Sequence, residues 1–305
     1  MKIRLLSFAL LVWFSFGCED DVYPELEPAE TRIVVDAWIT NDTTSQTVRI
    51  TETLPYFTNE FTPGVENAVV YIVEDGTEQY DFSASNVSGS YVWNPSASQP
   101  VLGKVGSNYE LFIQWNGTQI TSSSSLNRVP EIDSVTFSFV TSSFFPDSYF
   151  AEFYAVDPVG PGDTYWIKTY KNGVYLNKPN EINVAFDAAT SAGANVDGLH
   201  FIQPIRNAIN PFESNENDEF ISPYAPDDSI FLEIYSITNE AFYFLTELRI
   251  QTDRPGGFGE LFAVPLSNIS TNIFSDDQTP ILGFFNMSSV SRKGGFLDPN
   301  DLPTE

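Results

Sequence analysis

The sequence is poor in the residues that most catalytic and metal sites require. It contains one cysteine, one histidine and two methionines among 305 residues. With a single cysteine no intrachain disulfide can form, so packing has to stabilise the fold. With a single histidine, His200, a zinc site with two histidine ligands is excluded, and a histidine-based catalytic triad would depend on that residue alone. His200 lies between Leu199 and Phe201 in a predicted strand, where an ordinary strand role is favoured over catalysis.

Glycine-rich phosphate-binding motifs are also missing. The segments 160–162 and 257–259 each lack the third glycine of a dinucleotide-binding fingerprint and are interpreted as turns. The sequence therefore predicts no bound cofactor and no enzymatic activity. A glycosidase built on a pair of carboxylates stays open as an alternative, because 41 acidic residues provide many such pairs by chance.

Basic residues are scarce, since 14 lysines and arginines face 41 aspartates and glutamates, which gives a formal net charge of −27. A surface of this charge repels the phosphates of nucleic acids and anionic lipid headgroups, and so excludes both as non-specific partners. Hydrophobic residues make up 42% of the chain and aromatic residues 15%, more than a disordered acidic chain contains. A folded protein with a sizeable core is expected.

A conspicuous apolar run lies at the N-terminus. Two basic residues precede the stretch 5–16, which is apolar except for Ser7 and Ser15, and Gly17 and Cys18 follow. The run is too short to span a bilayer, which takes about 20 apolar residues. Its layout resembles a bacterial lipoprotein signal peptide over residues 1–17, whose removal would leave Cys18 as the acylated N-terminus and anchor the protein to a membrane. The alternative is an ordinary signal peptide whose cleavage site happens to contain a cysteine.

Three acidic residues, Glu19, Asp20 and Asp21, come directly after Cys18. Such a run resembles the signal that sends lipoproteins of the Bacteroidota to the outer face of the outer membrane; an ordinary acidic tether is the alternative. Residues 18–30 contain two prolines and are predicted to form an extended tether. Removal of residues 1–17 would change the formal charge to −29.

Short segments with alternating or β-branched residues predict strands in the first half of the chain. The turn pair Asn116-Gly117 is a strong hairpin signal, because both residues tolerate the positive φ angles of a type I′ turn. About seven strands in roughly 100 residues predict an immunoglobulin-like antiparallel β-sandwich over residues 31–130. The segments assigned as strands are 32–40, 46–53, 67–74, 109–115 and 118–122.

A second, larger β-rich domain with one helix is predicted over residues 131–305, beyond a boundary at Pro130. The helix is expected at 239–252, where apolar residues recur every three or four positions between a Thr238 or Asn239 cap and a Pro-Gly-Gly stop. Strands are expected at 135–139, 150–156, 165–170, 174–176 and 228–237.

Two acidic loops and four tryptophans are further binding candidates. The loops 215–219 and 298–301 offer oxygen ligands for calcium but lack the spacing of an EF-hand, so solvated loops without metal are favoured. Tryptophans can stack on sugars, yet strand contexts predict that these four belong to the core. They are Trp38, Trp93, Trp115 and Trp166.

Several motifs occur in an order that resembles a known family. Val34–Thr40, Gly106–Leu111, Val129–Ser134 and Ile281–Phe285 are similar to motifs of the Bacteroidota lipoproteins classed as domain-of-unknown-function family 4249. The resemblance covers nearly all of the mature chain. That family carries no established activity, and no residue roles can be transferred from it.

The resemblance implies a partner, because genes of this family typically sit beside a TonB-dependent outer-membrane receptor. We therefore expect a surface-exposed outer-membrane lipoprotein that assists such a transporter by binding the barrel, its substrate or both. A self-standing adhesin or structural surface protein is the main alternative, and a carbohydrate-active enzyme is the second. Ligand-binding residues are unknown at this level.

Overall fold

The computed structural model describes residues 30–55, 58–143 and 145–302. Cys18, the acidic run Glu19, Asp20 and Asp21, and the predicted signal peptide and tether up to residue 29 lie outside the described residues. Their assignments therefore stay predictions.

The protein is mainly β, as predicted, and one of its helices is long. The helix expected at 239–252 has those bounds, and the Thr238 hydroxyl accepts a hydrogen bond from the backbone of Ala241 as its cap. The strands are β1 Ile33–Thr40, β2 Gln46–Glu52, β3 Val69–Glu74, β4 Glu78–Ala84, β5 Ser90–Trp93, β6 Asn108–Trp115, β7 Thr118–Ser125, β8 Ile132–Val140, β9 Ser148–Ala155, β10 Thr164–Lys171, β11 Val174–Tyr175, β12 Asn183–Phe186, β13 Glu213–Ser214, β14 Phe220–Ile221, β15 Ser229–Ile237, β16 Ile273–Ser275, β17 Leu282–Ser288 and β18 Val290–Phe296. The helices are α1 Gln203–Asn207 and α2 Asn239–Thr252, with 3₁₀ turns at Pro179–Glu181, Gly257–Phe262 and Pro299–Asp301.

The predicted hairpin turn Asn116-Gly117 has the expected backbone. Asn116 and Gly117 have φ angles of 49° and 86°, and they join β6 to β7. Asp75-Gly76 and Asn172-Gly173 also have positive φ at both positions. The turn chemistry of these short segments therefore sets the register of three hairpins locally.

Nine strands form one sheet in the order β16-β7-β6-β3-β4-β5-β2-β1-β17. Its neighbouring strands are antiparallel except for β1 and β17, which are parallel, so the sheet is mixed rather than purely antiparallel. The sheet folds over a core of alternating inward residues such as Val35, Ile50, Ile72 and Leu111.

The two edges of this sheet approach each other, which makes it nearly closed. The Ser124 hydroxyl on β7 accepts a hydrogen bond from the backbone of Met287 on β17 at 3.0 Å. The side-chain amide of Asn272 donates to the carbonyls of Phe285 (2.8 Å) and Ser123 (3.2 Å). Residues 273–288 therefore complete both edges of a sheet whose other strands come from residues 33–125, and any division into domains has to place them with it.

The C-terminal sheet has the order β11-β10-β15-β18, with β12 also paired to β10. One face packs against the β8–β9 hairpin and α1, around buried residues such as Phe153, Tyr165 and Leu232. Its other face meets α2 and the outer face of β1, where the rings of Trp38 and Trp166 lie 5.0 Å apart. Among the described residues, no helix is long and apolar enough to cross a membrane.

A network of charges also joins the two sheets. The guanidinium of Arg292 on β18 binds the carboxylate of Asp42, in the β1–β2 turn, through both terminal nitrogens. Its Nε donates to Glu233 at 2.7 Å, and the hydroxyls of Tyr170 and Tyr235 donate to the other oxygen of Glu233. Glu233 is buried, so this full set of partners keeps its charge compensated.

Lys168 projects from β10 into the same contact region. Its Nζ lies 3.9 Å from the ring centre of Trp166 and 4.1 Å from that of Tyr235. Burial lowers the pKa of Lys168 to about 8, although Glu233 and Asp36 oppose the shift. The charges of these two carboxylates therefore only partly offset the hydration that the ammonium group loses on burial.

The lowered pKa predicts a pH effect on stability. An unfolded lysine keeps a pKa near 10.5, so between about pH 8 and 10.5 the unfolded state binds more protons and this residue's contribution to stability rises with pH. Relative to Lys168→Met, the wild-type free energy of unfolding should rise by about 2–3 kcal/mol from about pH 7 to about pH 10. Urea unfolding at several pH values measures it. Lys293→Met, at an exposed position, is the control, and its free energy of unfolding should differ from that of the wild type by the same amount at every pH. A difference for Lys168→Met that is equally independent of pH would contradict the prediction.

Candidate binding cleft beside helix α2

A cleft of about 950 Å³ opens between the first turns of α2 and the nearly closed sheet. Strand ends of β3, β6 and β7 form one wall, α2 forms another, and the segment leading into β16 lies between them. The lining residues are Val73, Asp75, Gly76, Asn108, Tyr109, Glu110, Ser123, Ser124, Ser125, Thr238, Glu240, Tyr243, Ser270, Thr271, Asn272, Phe274 and Phe284. A cavity of this size is large enough for a small organic ligand.

The serine run of β7 supplies hydroxyls to the cleft because strand residues alternate between faces. Ser122 and Ser124 are buried, and their hydroxyls bond to the backbone of Asn272 and Met287. Ser123 is exposed and Ser125 half-buried, and both line the cleft. Two serines of the run thus support the sheet, and the alternate two offer hydroxyls to a ligand.

Three exposed carboxylates face this cleft, from Asp75, Glu110 and Glu240. The Asp75 carboxylate accepts a hydrogen bond from the backbone N–H of Asn108 at 2.9 Å. This bond, with help from Ser107, lowers the pKa of Asp75, so that its charge persists in mildly acidic solution. Among the described residues that line the cleft, none is a lysine or an arginine, so its potential is negative.

Aromatic rings border the polar lining. Tyr243 on α2 is 50% exposed and Phe274 on β16 is 64% exposed, while Phe284 and Tyr109 are buried below. The Tyr109 hydroxyl is engaged by the backbone of Lys104, and burial raises its pKa. Exposed rings beside hydroxyls and carboxylates can hold the apolar face of a polyhydroxy ligand or a cation. This arrangement can bind such a ligand without any covalent step.

The candidates singled out in the sequence lie elsewhere. His200 is exposed and forms an isolated bridge with Val156, away from the cleft. In the acidic loop 215–219, the Asn215 side chain accepts hydrogen bonds from two backbone amides of its own loop. The Asp298 carboxylate accepts hydrogen bonds from the backbone N–H and the side-chain amide of Asn300. In the parts of the chain that the structure describes, no group of three or more His, Cys, Asp or Glu residues could hold a metal ion.

The four tryptophans do not form a platform for a ligand. Trp93 is buried, and Trp38 and Trp166 are half-buried in the contact between the sheets. Trp115 is half-buried, and its indole donates to the carbonyl of Glu66. The exposed aromatics of the cleft are instead Tyr243 and Phe274. Sequence reasoning missed them, although Tyr243 shares a helix face with Glu240 and Glu247, which is an unusual place for an aromatic side chain.

Comparison with known proteins identifies a family. The model of a family described as a domain of unknown function, DUF4249, matches residues 19–294. The match includes the nine-stranded sheet, α2, every residue of the cleft and all but the last two residues of the C-terminal sheet. No curated protein matches the chain.

Proposed function

The chain belongs to the DUF4249 family, and from this premise we propose that it is a surface-exposed outer-membrane lipoprotein of the Bacteroidota type. It acts as the accessory or substrate-binding partner of a TonB-dependent transporter. Cys18 carries the lipid, and Glu19, Asp20 and Asp21 direct the protein to the cell surface. The N-terminal sequence pattern and the family's gene neighbourhood support this part of the proposal.

The cleft beside α2 is the observation that carries the binding role. It combines about 950 Å³ of open volume with hydroxyls, carboxylates and exposed rings. Its negative lining repels anions, so the favoured ligand is a neutral polyhydroxy compound or a cation. A lipid on Cys18 would keep the cleft close to the membrane in which a transporter barrel lies, because the 12 peptide links from Cys18 to Glu30 span at most about 40 Å.

Ligand preference and cleft residues can be tested together. Calorimetry with neutral oligosaccharides, polyamines and uronic-acid oligosaccharides should detect binding of a neutral or cationic compound and none of the anionic sugars. Tyr243→Ala and Phe274→Ala should each weaken that binding about tenfold, because each removes a ring from the rim. Phe212→Ala, at a 69% exposed position on another loop, is the matched control. Preferred binding of the anionic sugars, or equal affinity of all variants, would contradict the cleft assignment.

The partner is tested separately, with the full-length protein as bait in a mild-detergent extract of its own cells. Mass spectrometry should recover a large outer-membrane barrel with it. Recovery of surface structures without a barrel would favour the adhesin alternative. Turnover of a glycan by the purified protein would favour the carbohydrate-active enzyme.

A further inference from the structure

The segment that follows α2 exposes an unusual number of large apolar side chains. We call residues 255–266 the apolar loop. Its five large hydrophobic residues are 56–79% exposed: Phe258 77%, Leu261 75%, Phe262 79%, Val264 56% and Leu266 70%. The rings of Phe258 and Phe262 lie 5.6 Å apart. Exposed large apolar side chains that cluster in one short segment mark an interaction site on a folded protein.

The apolar loop has a defined shape. Arg254, at its start, binds the carboxylate of Glu260 with two nitrogens and the carbonyl of Val264 with a third. Gly256 and Gly257 have φ angles of 63° and 52°, which favour glycine, and they lead into the 3₁₀ turn that carries Phe258 and Phe262. The apolar side chains are therefore held outward before any partner arrives.

Charge separates this loop from the rest of the molecule. The apolar loop contains one charged residue, Glu260, which pairs with Arg254, so the loop together with this arginine has no net charge, whereas the whole chain carries −27. A second copy would have to bring another strongly negative molecule against the loop, which like-charge repulsion opposes. A lipid surface tolerates a neutral loop, and the exposed Arg249 at its base can meet lipid phosphates.

The direction of α2 places the loop at a particular end of the molecule. The helix begins beside Asn286, whose side chain accepts a hydrogen bond from the backbone of Thr238. Two turns later, Phe244 packs on Phe284 at 4.7 Å. The helix thus runs antiparallel to β17, and also to β1, which is parallel to β17. Its last turn points to the start of β1, next to Glu30, where the described chain begins.

From these observations we infer that the apolar loop inserts its side chains into the interface of a lipid bilayer. The loop and the exit of the N-terminal tether lie at the same end, so a lipid on Cys18 and the loop would contact one membrane together. The joint contact of the Cys18 lipid and the loop with one membrane rests on the proposed function, but the lipid affinity of the loop does not. The first turns of α2 line the cleft, and the apolar loop follows the last turn of this 14-residue helix. The cleft and the apolar loop therefore lie about 20 Å apart.

Vesicle binding tests the loop without the anchor. Chain 18–305 with Cys18→Ser is mixed with phosphatidylcholine vesicles, and the bound fraction is measured by flotation. The combined variant Phe258→Ser, Leu261→Ser and Phe262→Ser should partition at least about tenfold more weakly. Phe212→Ser, at a similarly exposed position, should partition like the parent. Circular dichroism confirms that each variant is folded, which exposed positions should permit.

A second measurement reports on the loop itself, because the Cys18→Ser chain has no other cysteine. A fluorophore sensitive to polarity is attached at Leu261→Cys or at Phe212→Cys. With vesicles, its emission should shift to the blue at 261 and stay unchanged at 212. No partition and no shift at 261 would overturn the inference. Self-association that the triple variant abolishes, or a protein partner that shields 261 while vesicles do not, would overturn it as well. None of these results depends on acylation or on a transporter.

Discussion

Replacing Gly283 by alanine is expected to lower the free energy of unfolding by about 3 kcal/mol or more. Gly283 lies opposite Val35 in the parallel pair of β17 and β1. Its φ angle is 96°, and a Cβ at this position would lie 1.9 Å from the carbonyl oxygen of Val35. Backbone atoms cannot yield as a flexible side chain can, so the two strands would have to separate. Because β17 completes the edge of the nine-stranded sheet, the damage should reach its core.

Urea unfolding of the mature protein and of the variant measures this difference. Gly76→Ala is the matched control, because Gly76 also has a positive φ of 69° but nothing lies within 4 Å of a Cβ there. Gly76→Ala should lower the free energy of unfolding by about 1 kcal/mol, because it adds only the strain of an alanine at a positive φ angle. Equal costs for the two variants would show that the close approach at Val35 does not limit stability.

Replacing Cys18 by alanine is expected to abolish acylation and to move the protein from the membrane fraction to the soluble fraction. Lipidation of this type requires a thiol at the modified residue, and Cys18 is the only cysteine in the chain. Labelled palmitate incorporation and fractionation of cells measure the two effects. The effect should be close to complete, because the apolar loop alone provides weak, reversible membrane contact.

A variant in which Glu19, Asp20 and Asp21 are all alanine is the control for this experiment. It retains the cysteine, so it should be acylated normally, while its exposure to protease on intact cells should fall. Unchanged palmitate incorporation in Cys18→Ala would contradict an anchor at Cys18, and a wild-type protein without palmitate would show that the N-terminus is an ordinary signal peptide.

Features that depend on neighbouring residues could be predicted from the sequence. The Asn116-Gly117 turn sets the β6–β7 hairpin, and the Thr238 cap with the apolar spacing of the following residues sets α2. The family could also be recognised from ordered motifs, which the match over residues 19–294 confirms. In each case the physical cause, a turn conformation or a helical face, acts within a few residues and leaves a pattern in the chain.

Features that join distant segments were decided only by the tertiary structure. No local signal indicated that β17 would lie parallel to β1 or that β16 would pair with β7, because such pairing depends on which edges remain open once the other strands have folded. The cleft exists because Tyr243, Phe274 and Glu110 come together from three separate elements. The place of the apolar loop near the start of β1 follows from the direction in which α2 packs. Sequence therefore determined the local elements of this protein and its family, whereas long-range pairing and packing determined the cleft and the position of the apolar loop.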